Sequence, residues 1–410
     1  MTRGKAWLIG GIGLLLALVV LAVLLLQAKR VEQFALGRAG AALGLQIEAS
    51  GAAEYRLRGT PTLVVRDVTA RMPGNPQPLL VADRVLLSLP WSTLRARLQD
   101  LDFTRIELDS PVLDLGVLQA WQATRPPGDG RIPSLSKGLA VIDGTLVADG
   151  WRIEAIDLML PLLDADQPVR AQASGRHVAG ATTLPFDLDG QVERLADGSP
   201  LGVSGEVTIV REGWQLPARL KMRGSWRSGS EGWGIDRMRL GATAAYQAGD
   251  TRTPFALGLV APLRFADGAT RLSPLAVVVR PLGDGLVPAL KATGTLELED
   301  ELGLELDGTF ANWPEAWPAL PAPLDDPAAD TDFSLDYSGA TTLDDVAAIS
   351  LARDATRADI RLRLADVTGW METAATGTPL PPLEGTATTP RLDIAGATLH
   401  GVTITIEDDE

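Results

Sequence analysis

Apolar and polar residues follow two rhythms along this chain, and the change from one to the other organises it. From Trp7 to Leu26 the sequence carries no charged residue. At 1.5 Å per residue, an unbroken apolar run of this length matches the roughly 30 Å hydrocarbon core of a bilayer. Residues 7–26 therefore predict one transmembrane helix, with Trp7, Leu14, Leu18 and Leu26 as anchor residues and residues 1–6 as a short stub. The run exceeds a typical signal-peptide core, and Leu26 stands where a cut after Ala28 would need a small residue, so an anchor fits better than a cleaved leader. Val31, Phe34, Ala35, Ala39 and Ala42 continue at helical spacing, which extends the anchor as a stalk over residues 27–44, ending at Gly44.

Beyond Gly44 the period becomes two. Leucine and β-branched residues dominate Leu63 to Met72 and Leu79 to Leu89 between proline and glycine breaks, and both stretches predict strands. Trp91 to Asp100 is an exception: Ser92 and Thr93 are available as caps, and Trp91, Leu94 and Leu98 share one face of a short helix. Alternation resumes at Leu101, Phe103, Ile106 and Leu108 and continues past Ser110-Pro111 to Leu113 and Leu115. These strands form an amino-terminal β region, residues 45–125. Arg125 to Gly130 is too rich in proline and glycine for helix or central strand and marks a boundary.

From residue 126 to 410 the pattern is strand after strand. Asp-Gly pairs at 143–144, 149–150, 189–190, 197–198, 267–268 and 307–308 read as tight hairpin turns. No long amphipathic helix separates the strands, which favours an antiparallel meander over parallel crossovers. The cleanest alternation sets Leu290, Ala292, Gly294, Leu296 and Leu298 against Lys291, Thr293, Thr295, Glu297 and Glu299. After a turn near Asp300, Leu302, Leu304 and Leu306 repeat it against Glu301, Glu305 and Asp307, predicting a hairpin with one apolar face. The same parity recurs in Phe333, Leu335 and Tyr337, in Ile360, Leu362 and Leu364, and in Val402, Ile404 and Ile406. Proline-rich breaks interrupt the series at residues 313–327 and 379–382. Roughly twenty one-sided strands must cover their apolar face. Either that face packs on itself in a sandwich or closed barrel, or it forms a curled trough that receives acyl chains.

Composition removes several classes of function. A formal charge of −15 with no basic stripe argues against nucleic acid as a partner. The absence of cysteine excludes disulfides, thiolate metal sites and cysteine nucleophiles. His177 and His400, the two histidines, lie in separate strand-like segments and do not suggest a metal site. No nucleophile elbow, phosphate-binding glycine loop or H-E-x-x-H motif occurs, and the acidic pairs Asp325-Asp326, Asp344-Asp345 and Asp408-Asp409 read as solvated turns and tail. The expectation is a protein without catalytic residues, metal or cofactor.

The run Gly44-Leu45-Gln46-Ile47, Thr62-Leu63-Val64-Val65-Arg66-Asp67-Val68, Met72-Pro73-Gly74-Asn75, Leu79-Leu80-Val81-Ala82-Asp83-Arg84-Val85, Leu89-Pro90-Trp91 with Leu94, and Ile106-Glu107-Leu108-Asp109-Ser110-Pro111-Val112-Leu113-Asp114-Leu115 resembles the amino-terminal region of AsmA-family proteins. Pro382-Leu383-Glu384-Gly385, Pro390 to Gly396 and Leu399 to Ile406 resemble the family's carboxy-terminal strands more weakly, and residues 120 to 380 match in style alone. The resemblance implies a single-pass anchor in a bacterial inner membrane, residues 1–6 in the cytoplasm, and a periplasmic body. It also implies a mainly β fold in which an elongated, curled antiparallel sheet forms a groove. The function it implies is phospholipid transport between membranes in support of outer-membrane homeostasis, with an outer-membrane or periplasmic protein as partner. On that reading Leu290, Leu296, Leu298, Leu302, Leu304, Leu306, Leu335, Leu362, Leu364 and Ile404 line the lipid groove. The alternative is a membrane-tethered scaffold for outer-membrane or secretion machinery that carries no lipid.

Overall fold

The computed structural model describes most of the chain from Leu36 to Glu407; residues 1–35, 96–101, 125–133, 312–325, 367–381 and 408–410, with some shorter stretches, lie outside the description. The anchor expected over residues 7–26, the boundary expected at 125–130 and most of the two later proline-rich breaks thus fall outside the described residues. Among the described residues no helix is long and apolar enough to cross a membrane. Leu36, Gly37, Gly40, Ala41 and Leu43 are helical, and Gly44 ends that helix at a φ of +59° while the Leu45 N–H donates to the Gly40 carbonyl at 2.9 Å. This is the left-handed glycine closure of a helix C-terminus.

Contacts divide the chain into two units, Met1–Gly180 and Ala181–Glu410. In the first, β1 (Gln46–Ala49) and β2 (Glu54–Arg56) both pair with β3 (Thr62–Arg71), which pairs with β4 (Pro78–Ser88). Helix α1 (Trp91–Arg95) follows, with the Trp91 indole donating to the Gly59 carbonyl at 2.8 Å. Then β5 (Arg105–Asp109) and β6 (Val112–Asp114) pair with β4, and helix α2 (Leu115–Ala123) leads on to β7 (Leu139–Ala148), β8 (Trp151–Leu160) and β9 (Val169–Ala179). Asp114 caps α2 by accepting from the Val117 N–H at 2.9 Å. The pairing of β5 and β6 with β7 is parallel, a local departure from the expected meander. It is accommodated because the connection from Asp114 to Leu139 is long enough for a crossover that includes α2.

The core of this unit lies on β3 and β4, where Val65, Val68, Ala82 and Val85 are buried and Ile47, Ala49, Leu63, Leu87 and Leu108 pack around them. On the other parity Arg84 bonds Glu107 at 3.2 Å and Asp109 at 3.0 Å. Desolvation opposes the Arg84 charge, but the hydrogen bonds and attraction of Asp109 and Glu107 outweigh it and hold the guanidinium above its ordinary value.

The second unit has thirteen strands: β10 (Thr182–Val192), β11 (Pro200–Arg211), β12 (Trp214–Gly229), β13 (Gly232–Ala248), β14 (Thr251–Ala266), β15 (Ala269–Pro281), β16 (Ala289–Leu298), β17 (Leu302–Ala311), β18 (Thr331–Gly339), β19 (Val346–Arg353), β20 (Thr356–Arg363), β21 (Glu384–Ile394) and β22 (Ala397–Ile406). Each pairs antiparallel with the next in sequence, and no described pairing joins β22 back to β10. Within this unit the sheet is therefore open.

Three of the expected Asp-Gly turns do connect strands, at residues 149–150, 197–198 and 267–268. The other three lie within β7, β10 and β17. Asp307 points to solvent while Gly308 falls on the apolar parity, beneath the neighbouring strand. There the dipeptide obeys the alternation of a strand and makes no turn.

Candidate functional site

Register converts the alternation into continuous rows. Gly190, Val203, Met222, Leu240, Leu259, Val277, Ala292, Gly308, Phe333, Leu351, Ala358, Ala387 and Ile404 stand directly opposite one another in turn, one from each of the thirteen strands. Each is apolar or glycine. A parallel row holds Leu275, Gly294, Leu306, Leu335, Ile349, Ile360, Gly385 and Ile406 across β15 to β22. A third holds Trp226, Ile235, Leu263, Leu272, Leu296, Leu304, Tyr337, Ala347 and Leu362 across β12 to β20.

Of the residues expected to line a groove, Leu306 and Leu335 belong to the second row, and Leu296, Leu304 and Leu362 to the third. Ile404 ends the first row. Leu298 opposes Leu302 and Leu290 opposes Phe310 in flanking rows on the same face. Leu364 lies outside the described residues.

Most of this face is half-buried. In the thirteen-strand row Ala292 is buried and Ile404 exposed, and the other eleven residues are intermediate. A closed sandwich or barrel would seal such positions. Tyr337, 1% exposed, donates its hydroxyl to the Ala340 carbonyl at 2.6 Å. Its burial pushes the phenol above its ordinary pKa, so it adds no charge to the face at neutral pH. At one margin Trp226 stacks on Trp233 with ring centres 5.8 Å apart, and Trp233 on Phe265 at 5.4 Å.

The glycines show which way the sheet bends. On the apolar parity a Cβ added at Gly294 would fall on the Glu305 carbonyl oxygen, at Gly308 on that of Lys291, and at Gly385 on that of Asp359. On the polar parity Gly241 has nothing within 4 Å, and Gly202, Gly258 and Gly303 meet nothing nearer than 3.8 Å. At these positions, away from the bulges, neighbouring backbone crowds the apolar side and leaves the polar side open, so the sheet curls there with the apolar face concave; beside the β13 bulge the relation reverses, and Gly232 and Gly234 on the polar parity meet the Phe265 and Leu263 carbonyl oxygens. Gly294→Ala should accordingly destabilise the chain by about 1–3 kcal/mol, whereas Gly303→Ala should shift stability by less than about 1 kcal/mol. Urea unfolding of the two variants makes the comparison.

The regular pairing is interrupted where β13 and β15 each carry extra residues. Register slips between Ile235 and Met238 in β13 and between Leu272 and Leu275 in β15, with Arg237 at a φ of +51°. Ile235, Met238, Ala261 and Leu275 form a small buried cluster here, and Leu201 and Leu306 pack against it across Gly224 and Gly294. Concave-face positions on β11 to β15, including Leu201, Met222, Leu240 and Leu259, were not singled out by sequence reasoning, and within β13 and β15 each bulge reverses strand parity. The signals that mark the reversals are Asp236-Arg237 and Ser273-Pro274.

The opposite face is polar and carries cross-strand ion pairs and hydrogen bonds. Glu206 pairs with Arg219 at 2.5 Å, Glu297 with Arg271, and Asp359 accepts from Ser350 at 2.7 Å. Near β12, the backbone and hydroxyl hydrogen bonds of Ser228 hold the Asp197 carboxyl below its usual range. Among the described residues no group of three or more histidine or acidic side chains is placed to hold a metal ion. No known family, curated protein or solved structure matches the chain.

Proposed function

We propose that this protein is a membrane-anchored periplasmic conduit whose concave apolar face carries the acyl chains of phospholipid between membranes. The observation that supports the reading is the thirteen-strand apolar row, half-buried for almost its whole length and interrupted by no charged residue. Twelve inter-strand spacings of about 4.8 Å make that row on the order of 55–60 Å along the sheet, against ~15 Å for half a bilayer's hydrocarbon core. Such a surface suits several lipids in file better than one lipid in a pocket. Phospholipid headgroups would stay in water at the open side while their tails lie along the rows, so no catalytic group, metal or cofactor is required. The uncharged run Trp7 to Leu26 supplies the anchor in this proposal, and a bacterial inner membrane is the surface it holds.

A photo-crosslinking residue placed at Leu304 or Leu335 should capture phospholipid during extraction from membranes, while one at Glu305 or Asp336, on the polar parity, should not. Mass spectrometry of the adduct identifies the lipid. Equal labelling of both faces, or none on either, would overturn the conduit and leave the tethered scaffold.

A further inference from the structure

The polar face of β10 to β22 carries, at the bulges of β13 and β15, a feature that a lipid trough does not require. We propose that the crease between the bulges of β13 and β15 docks an acidic peptide segment of a partner protein, through a cationic cluster and an adjoining apolar depression. The cationic residues lie on the face opposite the apolar rows, and the site does not depend on those rows carrying lipid.

Arg223, Arg239, Val260, Ala276 and Thr293 form one row across β12 to β16. Arg223 and Arg239 face each other directly, a like-charge arrangement that disfavours strand pairing. Both are exposed, as are Lys221 beside them and Arg237 in the bulge. In a chain of net charge −15 a carboxylate partner would be easy to supply, yet among the described residues no ion pair reaches Lys221, Arg223 or Arg239. Nearby cations are matched: Arg219 by Glu206, and Arg227 and Arg264 by Asp236. Arg237 donates to the Ser225 hydroxyl at 3.1 Å, and among the described residues no ion pair reaches it.

Immediately along the row the extra residues of the two bulges open a depression of about 630 Å³, lined by Val260, Ala261, Pro262, Pro274, Leu275 and Ala276 together with Arg237, Thr293 and Asp236, whose carboxylate is already paired with Arg227 and Arg264. Val260 is 48% exposed there. Positive potential at one end and an apolar hollow at the other select an extended segment with carboxylates followed by one aliphatic or aromatic anchor. Four strand spacings from Arg223 to Thr293 span about 19 Å, or roughly six extended residues. Asp307 stands opposite Thr293 and bounds the far end. Asp307, with Asp332 beyond it on the same face, would repel a flat anionic membrane, whereas a narrow peptide whose acidic end lies over Arg223 and Arg239 avoids them.

The test uses the full chain and a fluorescein-labelled peptide, Asp-Glu-Asp-Glu-Gly-Leu, followed by fluorescence anisotropy at low and physiological salt. The expected result is saturable binding that weakens as salt rises. Arg239→Glu gives Arg223 a facing carboxylate, so its melting temperature should hold or rise while peptide affinity falls about tenfold or more. Val260→Asp should weaken binding comparably, and Arg357→Glu, far along the same face on β20, should leave it unchanged. No saturable binding by the wild type, unaltered affinity in Arg239→Glu, or equal loss in Arg357→Glu would overturn the proposal. So would displacement of the peptide by short-chain phosphatidylglycerol at concentrations where it is monomeric, which would assign the crease to lipid headgroups.

Discussion

Val65→Asp should unfold the first unit. Val65 is 1% exposed and surrounded by Val68, Ala82 and Val85, so the introduced carboxyl would have no water and no polar neighbour on its face of β3. The nearest cationic side chains on β3 and β4, Arg66 and Arg84, oppose each other on the other parity, and Arg84 is already engaged by Glu107 and Asp109. An unpaired carboxylate in such a place, added to the lost burial of valine, costs about 4–5 kcal/mol or more, a large part of a typical domain's stability. The cost is set by the charged form. It should shrink as pH falls and the carboxyl takes up a proton, and grow as pH rises through the raised pKa of the buried acid. Val65→Thr, which keeps the shape and adds a hydroxyl, should lose only about 1–2 kcal/mol. Limited proteolysis should cut β3 and β4 in the aspartate variant under conditions where wild type and the threonine variant resist. Full resistance of the aspartate variant would show that this cluster is not the unit's core.

The hairpin of β16 and β17 was legible from residues alone. Leucine on every second position, with lysine, threonine or glutamate between, leaves one register that keeps the leucines together, and Leu296 does face Leu304 while Leu298 faces Leu302. β18, β20 and β22 followed for the same reason, whereas β19 was not singled out. What the pattern hid has local causes. Asp-Gly at residues 143–144, 189–190 and 307–308 carries turn chemistry into strand interiors, and only the neighbouring strand shows that Gly308 serves close backbone approach. Across β13 and β15 the bulges shift parity, so Ile235 and Met238, three apart, share the apolar side. Contrast is also low there, because Val260, Ala276 and Val278 place apolar residues on the polar parity. The parallel pairing of β5 and β6 with β7 depends on a connection whose middle carries no strand signal. The candidate site was thus readable in its carboxy-terminal half and obscured in its amino-terminal half by geometry that no simple period of two can encode.

Leu335→Asp should abolish or severely reduce phospholipid retention while leaving the chain folded. Leu335 stands between Leu306 and Ile349 in the second apolar row, half-buried, so under the proposed conduit a carboxylate there would meet acyl chains but could still draw water from the open side of the sheet. Partial solvation limits the stability cost to about 1–3 kcal/mol, below the cost at Val65, because the charge is not forced into a sealed core. For lipid the balance differs. An acyl chain that slides along the row must either strip water from the carboxylate or leave the surface at that strand, and either step is unfavourable by several kcal/mol. Bound phospholipid per chain, measured as lipid phosphorus after gentle extraction, should therefore fall about tenfold or more. Asp336→Leu, one residue away on the polar parity, should leave it unchanged. Leu335→Ala should cost some stability through lost contacts yet keep most of the lipid, since it shortens the lining without charging it. If Leu335→Asp instead lost its fold as completely as Val65→Asp, the apolar rows would be a closed core. If it kept both its fold and its lipid, the acyl chains would have to lie elsewhere than on the row that contains Leu335.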